Sequence, residues 1–353
     1  MMKLGPLDDK SIRQVKKEFN RCKKNTIYNK YQITDYYDSG EYQIREYYYD
    51  SGVYETVYKV ESLFGKKQYV LVVRDENYYL PVEGTTLIQE MIAHGQTHIV
   101  EHLLSFSVDL ASGKRYCVLK EMLTPLSKHE NQCDDIELAV RIGNDLLPLL
   151  QYLYSRQDII HCVISPQSIM FDKDFRGEKG LMLDEFYLGN ECIGKMTTIA
   201  PEVSIHENKQ SLCDMYSLGI VMYYYLNGRV YPYENNHEMR LYSKDSLPDP
   251  KYGSRRLKNL VVKATMPSPQ DRFASPQEML KELQQCEEFK AFILKEFIMG
   301  ASENWVNKRK KPPEMATSRK GARYVKIWCC LREYKGVFSL IFVKWAQLSR
   351  QTI

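Results

Sequence analysis

Apolar residues recur at helical spacing in two stretches of the chain. Between Asp8 and Lys24, Ile12, Val15 and Phe19 stand three and four residues apart among lysines and arginines. That period predicts a short amphipathic helix, and its basic composition predicts a solvated N-terminal arm. Between Asp134 and Tyr154 the same period runs through Ile136, Val140, Leu147, Leu150 and Tyr154, with Pro148 expected to kink the helix. A shorter helix is expected over Thr85 to Ala93. Strand character dominates elsewhere in the first third. Ten tyrosines fall between Tyr28 and Tyr58, interleaved with turn residues in the near-repeat Tyr37-Asp38-Ser39-Gly40 and Tyr49-Asp50-Ser51-Gly52. Such enrichment predicts strands joined by tight turns. Gly65 to Arg74 reads as a further strand. The run from Asp214 to Tyr223 is apolar all round, as a central buried helix requires. Ser275-Pro276-Gln277-Glu278 has the form of a capping box with proline at the first helical position.

These elements mix helix and strand, so the fold class is α+β. With 353 residues, 44% of them apolar and 27% charged, the chain is long enough to bury a core and too hydrophobic to be disordered as a whole. Nine cysteines form no paired C-x-x-C motif, which argues against a zinc site or a disulfide framework and for a reducing cytosol. No signal-peptide pattern follows Met1. The net charge of +4 is uneven. From Trp305 to Ile353 twelve Lys and Arg face Glu314 and Glu333, giving +10 and leaving −6 for the rest. In that basic, aromatic tail the longest uncharged run, Gly336 to Val343, has eight residues, too few to span a bilayer.

Ile159-Ile160-His161-Cys162-Val163-Ile164-Ser165-Pro166-Gln167-Ser168-Ile169 resembles the catalytic loop of protein kinases, I-I-H-R-D-I/L-K-P-x-N-I. Further stretches follow in order. Gly65 to Arg74 resembles the strand that carries the phosphate-binding lysine. Gln96-Thr97-His98-Ile99-Val100 resembles the H-P-N-I-V turn. Glu121-Met122-Leu123-Thr124-Pro125-Leu126 resembles the interlobe hinge in its bacterial serine/threonine kinase form. Leu183-Asp184-Glu185-Phe186-Tyr187 is similar to L-G-D-F-G. Ala200-Pro201-Glu202, Asp214 to Tyr223 and Pro269-Gln270-Asp271-Arg272-Phe273 resemble the closing A-P-E, the buried helix and the D-P-x-D-R-Y run. The resemblance covers 42–290 and implies a bilobal protein-kinase-like fold, with a β-rich N-lobe over 42–120 and a helical C-lobe over 125–290. Residues 1–41 are then an extension and 291–353 a tail.

The same resemblance implies which residues matter. Tyr42-Gln43-Ile44 would open the first strand. Of the three loop glycines only Gly52 remains, with Val57 at the expected offset and Asp50 and Glu55 at the other glycine positions. Val72 stands for the phosphate-binding lysine, Val163 for the catalytic base, Ser165 for lysine and Ser168 for the metal-binding asparagine. Glu185 stands for the metal-binding aspartate and is the one remaining metal candidate, its extra methylene a poor match to an octahedral site. Asp184 lies one residue early and is expected to point away. Leu87 falls where the helix glutamate belongs. Lys120 occupies the gatekeeper position, where a buried lysine must snorkel or pair, and Glu121 and Leu123 would offer backbone groups to an adenine. His161, Phe186, Glu202, Asp214 and Arg272 keep their structural roles, with Glu202 and Arg272 as a buried ion pair.

The framework positions are retained and the phosphoryl-transfer positions are replaced. The resemblance therefore implies a pseudokinase acting as scaffold or allosteric regulator, with no catalytic residues, no cofactor and no metal. The alternative is an atypical serine/threonine kinase that binds ATP and Mg through rearranged groups, Lys120 or Arg74 for phosphate and Asp184 or Glu185 for metal. Expected partners are proteins, such as an active kinase or its substrate. The tail suits an anionic membrane surface, an acidic partner or ordinary packing, and no nucleic-acid module is recognisable. The expected location is the cytoplasm, with the tail allowing a peripheral membrane position.

Overall fold

The computed structural model describes residues 8–24, 31–36, 55–62, 68–75, 82–129, 134–156, 159–162, 164–172, 179–184, 197–206, 212–232 and 245–309. The chain divides into two compact units, Met1–Glu288 and Phe289–Ile353. The first mixes helices with two small sheets, an α+β arrangement. The helix α8 (Glu287–Arg309) starts at the end of the first and supplies the described residues of the second. No helix among the described residues is long and apolar enough to cross a membrane.

The larger sheet is antiparallel and has five strands: β1 (Tyr31–Tyr36), β2 (Glu55–Ser62), β3 (Gln68–Asp75), β4 (His102–Leu110) and β5 (Gly113–Glu121), in the order β1-β2-β3-β5-β4. Strand alternation gives it two apolar faces. Leu71, Val73, Leu104, Phe106, Val108, Cys117 and Leu119 form one, and α1 (Asp9–Lys24) covers it with Val15, Phe19 and the half-buried Ile12. Phe19 meets Phe106 with ring centroids 6.2 Å apart. Gln14 donates to the Asp109 carbonyl, and Asp8 caps the helix by accepting from Ser11 N–H at 2.7 Å.

This corrects the expectation of a solvated arm. The basic residues mark the outer side of a helix whose apolar stripe is buried, with Val15 and Phe19 at 0% and 1% exposure. Each such side chain contributes about 1.5–3 kcal/mol by leaving water. The stretch expected as an extension thus supplies both a packing helix and the strand that pairs with β2. The expected opening strand, 42–44, lies outside the described residues.

The second face of the sheet carries Val70 and Val72, which pack with Met122. Beyond β5 come β6 (Thr124–Pro125), β7 (Ile169–Phe171) and β8 (Met182–Leu183), a three-stranded sheet in that order. The turn after α2 (Val82–Ala93) is tied to β8, where Val100 N–H donates to the Leu183 carbonyl and Leu183 N–H to the His98 carbonyl, each at 2.9 Å. Gly180 makes the entry to β8 possible. Its φ is +63°, and a Cβ there would lie 2.7 Å from Asp145 Oδ2, the atom that accepts Leu181 N–H.

The remaining α-helices among the described residues are α3 (Asp135–Arg156), continuous through Pro148, α4 (Pro201–His206), α5 (Leu212–Leu226), α6 (Arg255–Ala264) and α7 (Pro276–Gln284). The all-round apolar α5 is buried continuously from Cys213 to Tyr223. Ser275 Oγ accepts from Glu278 N–H at 3.2 Å, and Glu278 reaches back to Ala274 N–H at 2.9 Å, fixing the start of α7.

Candidate functional site

The site lies where the second face of the larger sheet meets the segments 159–170 and 181–184. Strand register sets its first side. Lys120 on β5 is directly opposite Val70 on β3 and His102 on β4, and Val72 is opposite Val118. A register shift between His102 and Leu104 brings His102 into this row. Cross-strand partners share a face, so Val72, Lys120 and His102 all belong to the side away from α1.

Lys120 is 3% exposed. Its Nζ meets Asp184 Oδ2 at 2.5 Å, and His102 Nε2 lies 4.0 Å from the other carboxylate oxygen. Burial pushes the Asp184 carboxyl up, but the Lys120 charge and His102 together pull it below its ordinary value, so it stays ionised. Asp184 was expected to point away. Instead it is the counter-ion of Lys120, 64 residues distant. A lysine on a buried strand signals such a partner, although nothing local in the sequence names which acid supplies it.

The loop beneath is held through backbone groups. Asp214, at the start of α5, accepts the N–H of His161 at Oδ2 and of Cys162 at Oδ1, both at 2.7 Å. Cys162 adopts φ +63°. Burial pushes the Asp214 carboxyl up to about 8, against the pull of those N–H groups. His161 is fully buried, and desolvation lowers its pKa to about 4. The neutral ring must donate from Nε2, because its partner at 2.7 Å is the Asp184 carbonyl, which can only accept.

Ser165 and Ser168 are buried against each other. Ser168 Oγ accepts Ser165 N–H at 3.0 Å and donates to the Ser165 carbonyl at 3.2 Å, so this hydroxyl is turned onto its own loop. Leu123 packs against Val100, Met170 and Met182, and Glu121 pairs with Lys179 at 3.4 Å. Val57 is opposite Val72 in the β2–β3 ladder. Leu87 is half-buried on α2. Gly52, Val163, Glu185 and Phe186 lie outside the described residues.

Further along, Arg272 meets Glu202 in a two-point ion pair, Nη1 to Oε1 at 2.7 Å and Nη2 to Oε2 at 2.8 Å. Its other donors reach the carbonyls of Met266, Leu212 and Pro267, and its guanidinium lies 4.8 Å from the Tyr216 ring centre. Sequence reasoning did not single out the contact of Cys162 Sγ with Cys213 Sγ at 3.9 Å, because two thiols 51 residues apart leave no local pattern.

No family model matches the chain. It is 30% identical over 115 residues to a serine/threonine-protein kinase H1 homolog of Danio rerio, covering 30% of this chain and 26% of that one. It is 27% identical over 205 residues to the human RAC-beta serine/threonine-protein kinase, covering 53% and 39%. It is 24% identical over 160 residues to PknB, a serine/threonine-protein kinase of Lactococcus lactis, covering 41% and 25%. The chain is protein kinase-like. It matches a quarter to two fifths of the length of these relatives, which come from vertebrates and a bacterium alike.

Proposed function

We propose that this kinase-like chain is a pseudokinase, a bilobal domain that binds protein partners and does not transfer phosphate. The buried Lys120–Asp184 pair carries the reading. Phosphoryl transfer uses a cation on the nucleotide phosphates and a carboxylate on Mg²⁺. Here a cation and a carboxylate, with side chains 4% and 2% exposed, neutralise one another. Separating such a pair costs about 3–5 kcal/mol, so a nucleotide gains little from either group. Val72 in place of lysine and the inward-turned Ser168 hydroxyl support the same conclusion. A missing base forfeits about 10²–10⁴ in rate and a missing electrostatic clamp about 10²–10³.

In this reading the five-stranded sheet with α1 and α2 is the small lobe and the segments from 125 to 290 form the large one, with the bacterial cast of the hinge carried by the sequence alone. The domain takes no cofactor or metal, acts in the cytoplasm on an active kinase or its substrate, and uses its basic tail against an anionic membrane surface. The competing reading, an atypical kinase, draws on the presence of a cation and an acid side by side.

A thermal-shift titration with millimolar ATP, with and without Mg²⁺, separates the two, because stabilisation follows RT ln(1 + [L]/Kd). No shift is expected. A rise of several degrees, or labelled phosphate incorporation well above a heat-killed control, overturns the pseudokinase reading.

A further inference from the structure

We propose that Cys162 and Cys213 form a reversible disulfide that staples the loop Ile159–Cys162 to the start of α5 when the protein meets a peroxide. Both thiols are reduced, their sulfurs are 3.9 Å apart, and they are 7% and 1% exposed. One carboxylate arranges them. Asp214 follows Cys213 directly in the chain and binds the N–H groups of His161 and Cys162, holding Cys162 at φ +63° with its sulfur against Cys213. Bond formation closes the sulfurs from 3.9 Å to about 2.05 Å. A thiol stands here at the position that carries an arginine in the catalytic-loop pattern, so the loop would answer to an oxidant.

The chemistry balances with one hydrogen peroxide. Cys162, the more exposed of the two, attacks a peroxide oxygen. The O–O bond breaks, the sulfur becomes a sulfenic acid, and the second oxygen leaves as water with the thiol proton. The Cys213 sulfur then attacks the Cys162 sulfur, the S–O bond breaks, the S–S bond forms, and the hydroxyl leaves as water with the Cys213 proton. Asp214 Oδ1, 4.0 Å from Cys213 Sγ, is placed to relay that proton, and burial brings the carboxyl to about 8, where it exchanges protons near neutrality. The same three residues could face a metal ion. They offer three ligands where structural zinc takes four, and both Asp214 oxygens already accept backbone N–H groups.

The test treats the full chain with hydrogen peroxide, blocks remaining thiols with N-ethylmaleimide and maps peptides without reductant. A peptide pair joining Cys162 to Cys213, reversed by dithiothreitol, is expected. Closing a loop of this length should raise Tm by roughly 5–10 °C. In Cys213→Ser the cross-link and the rise disappear, and dimedone traps Cys162 as its sulfenic acid. Maleimide on both thiols after peroxide, Cys162 joined to another cysteine, or protection that a chelator abolishes each overturns the proposal, the last in favour of a metal site.

Discussion

Two buried ion pairs in this chain are built differently. Arg272 spends all five guanidinium N–H donors on Glu202 and three carbonyls, and it stacks on Tyr216. Lys120 meets one carboxylate oxygen, with His102 near the other. A planar fork with every donor used fixes several chain segments at once, since Met266, Pro267, Leu212 and Glu202 all converge on it. A single ammonium contact joins two points, the sheet and the segment after β8. The first pair is a hub of the helical half, and the second ties β5 to the residue after β8. Desolvation weighs on both, but the return differs.

The largest expected effect comes from the hub. Arg272→Ala leaves Glu202 without its cation and removes the donors to three carbonyls, and should destabilise the protein by about 5 kcal/mol, at the upper end for a broken buried pair. Arg272→Lys should recover little of that loss, because three donors cannot replace five. Urea denaturation measures both. A loss below about 1 kcal/mol for Arg272→Ala would show that the pair does not hold the helical half together.

The Lys120–Asp184 pair should respond in another way. Lys120→Met alone strands a buried carboxylate and should cost about 3 kcal/mol, whereas Lys120→Met combined with Asp184→Leu should return to within about 1 kcal/mol of the parent. The double-mutant cycle reads this directly. If the double variant is as unstable as the single, the pair is a structural hub like Arg272 and the contrast fails.

A smaller effect sharpens the same contrast through pH. His161 is lowered to about 4 from its ordinary 6.5 by burial. Between these values the unfolded chain binds the proton and the folded chain does not, so this contribution is complete above pH 6.5 and is lost as pH falls toward 4. On acidification from pH 7 to pH 4, the parent should lose up to about 3 kcal/mol relative to His161→Gln. The opposite slope of Asp214, whose carboxyl is raised, is common to both proteins and cancels. Parallel pH curves would mean that the ring is protonated in place.

The sequence made parts of this arrangement legible. The period of Ile12, Val15 and Phe19 revealed a helix, but its burial depends on Leu71, Phe106 and Leu119, whose outer face no local pattern identifies as uncovered. The gatekeeper position implied a buried Lys120 that must snorkel or pair. Asp184 was not evident as that partner, because the register that placed it one residue early describes a single segment and the pairing joins two. Asp214, Glu202 and Arg272 could be named because each sits in a run of residues with a recognisable order, while Cys162 and Cys213 belong to different runs and meet only after α5 has docked.

The helix α1 also sets a timetable. Gln14 on α1 bonds to Asp109, 95 residues later. At roughly 5–20 residues per second, translation leaves the helix waiting about 5–20 s for the strand it covers. A lone segment of 16 residues is barely stable as a helix in water. During synthesis, therefore, α1 leaves the ribosome before the strands that seat it exist, and until then Val15 and Phe19 are open to whatever apolar surface the cell presents.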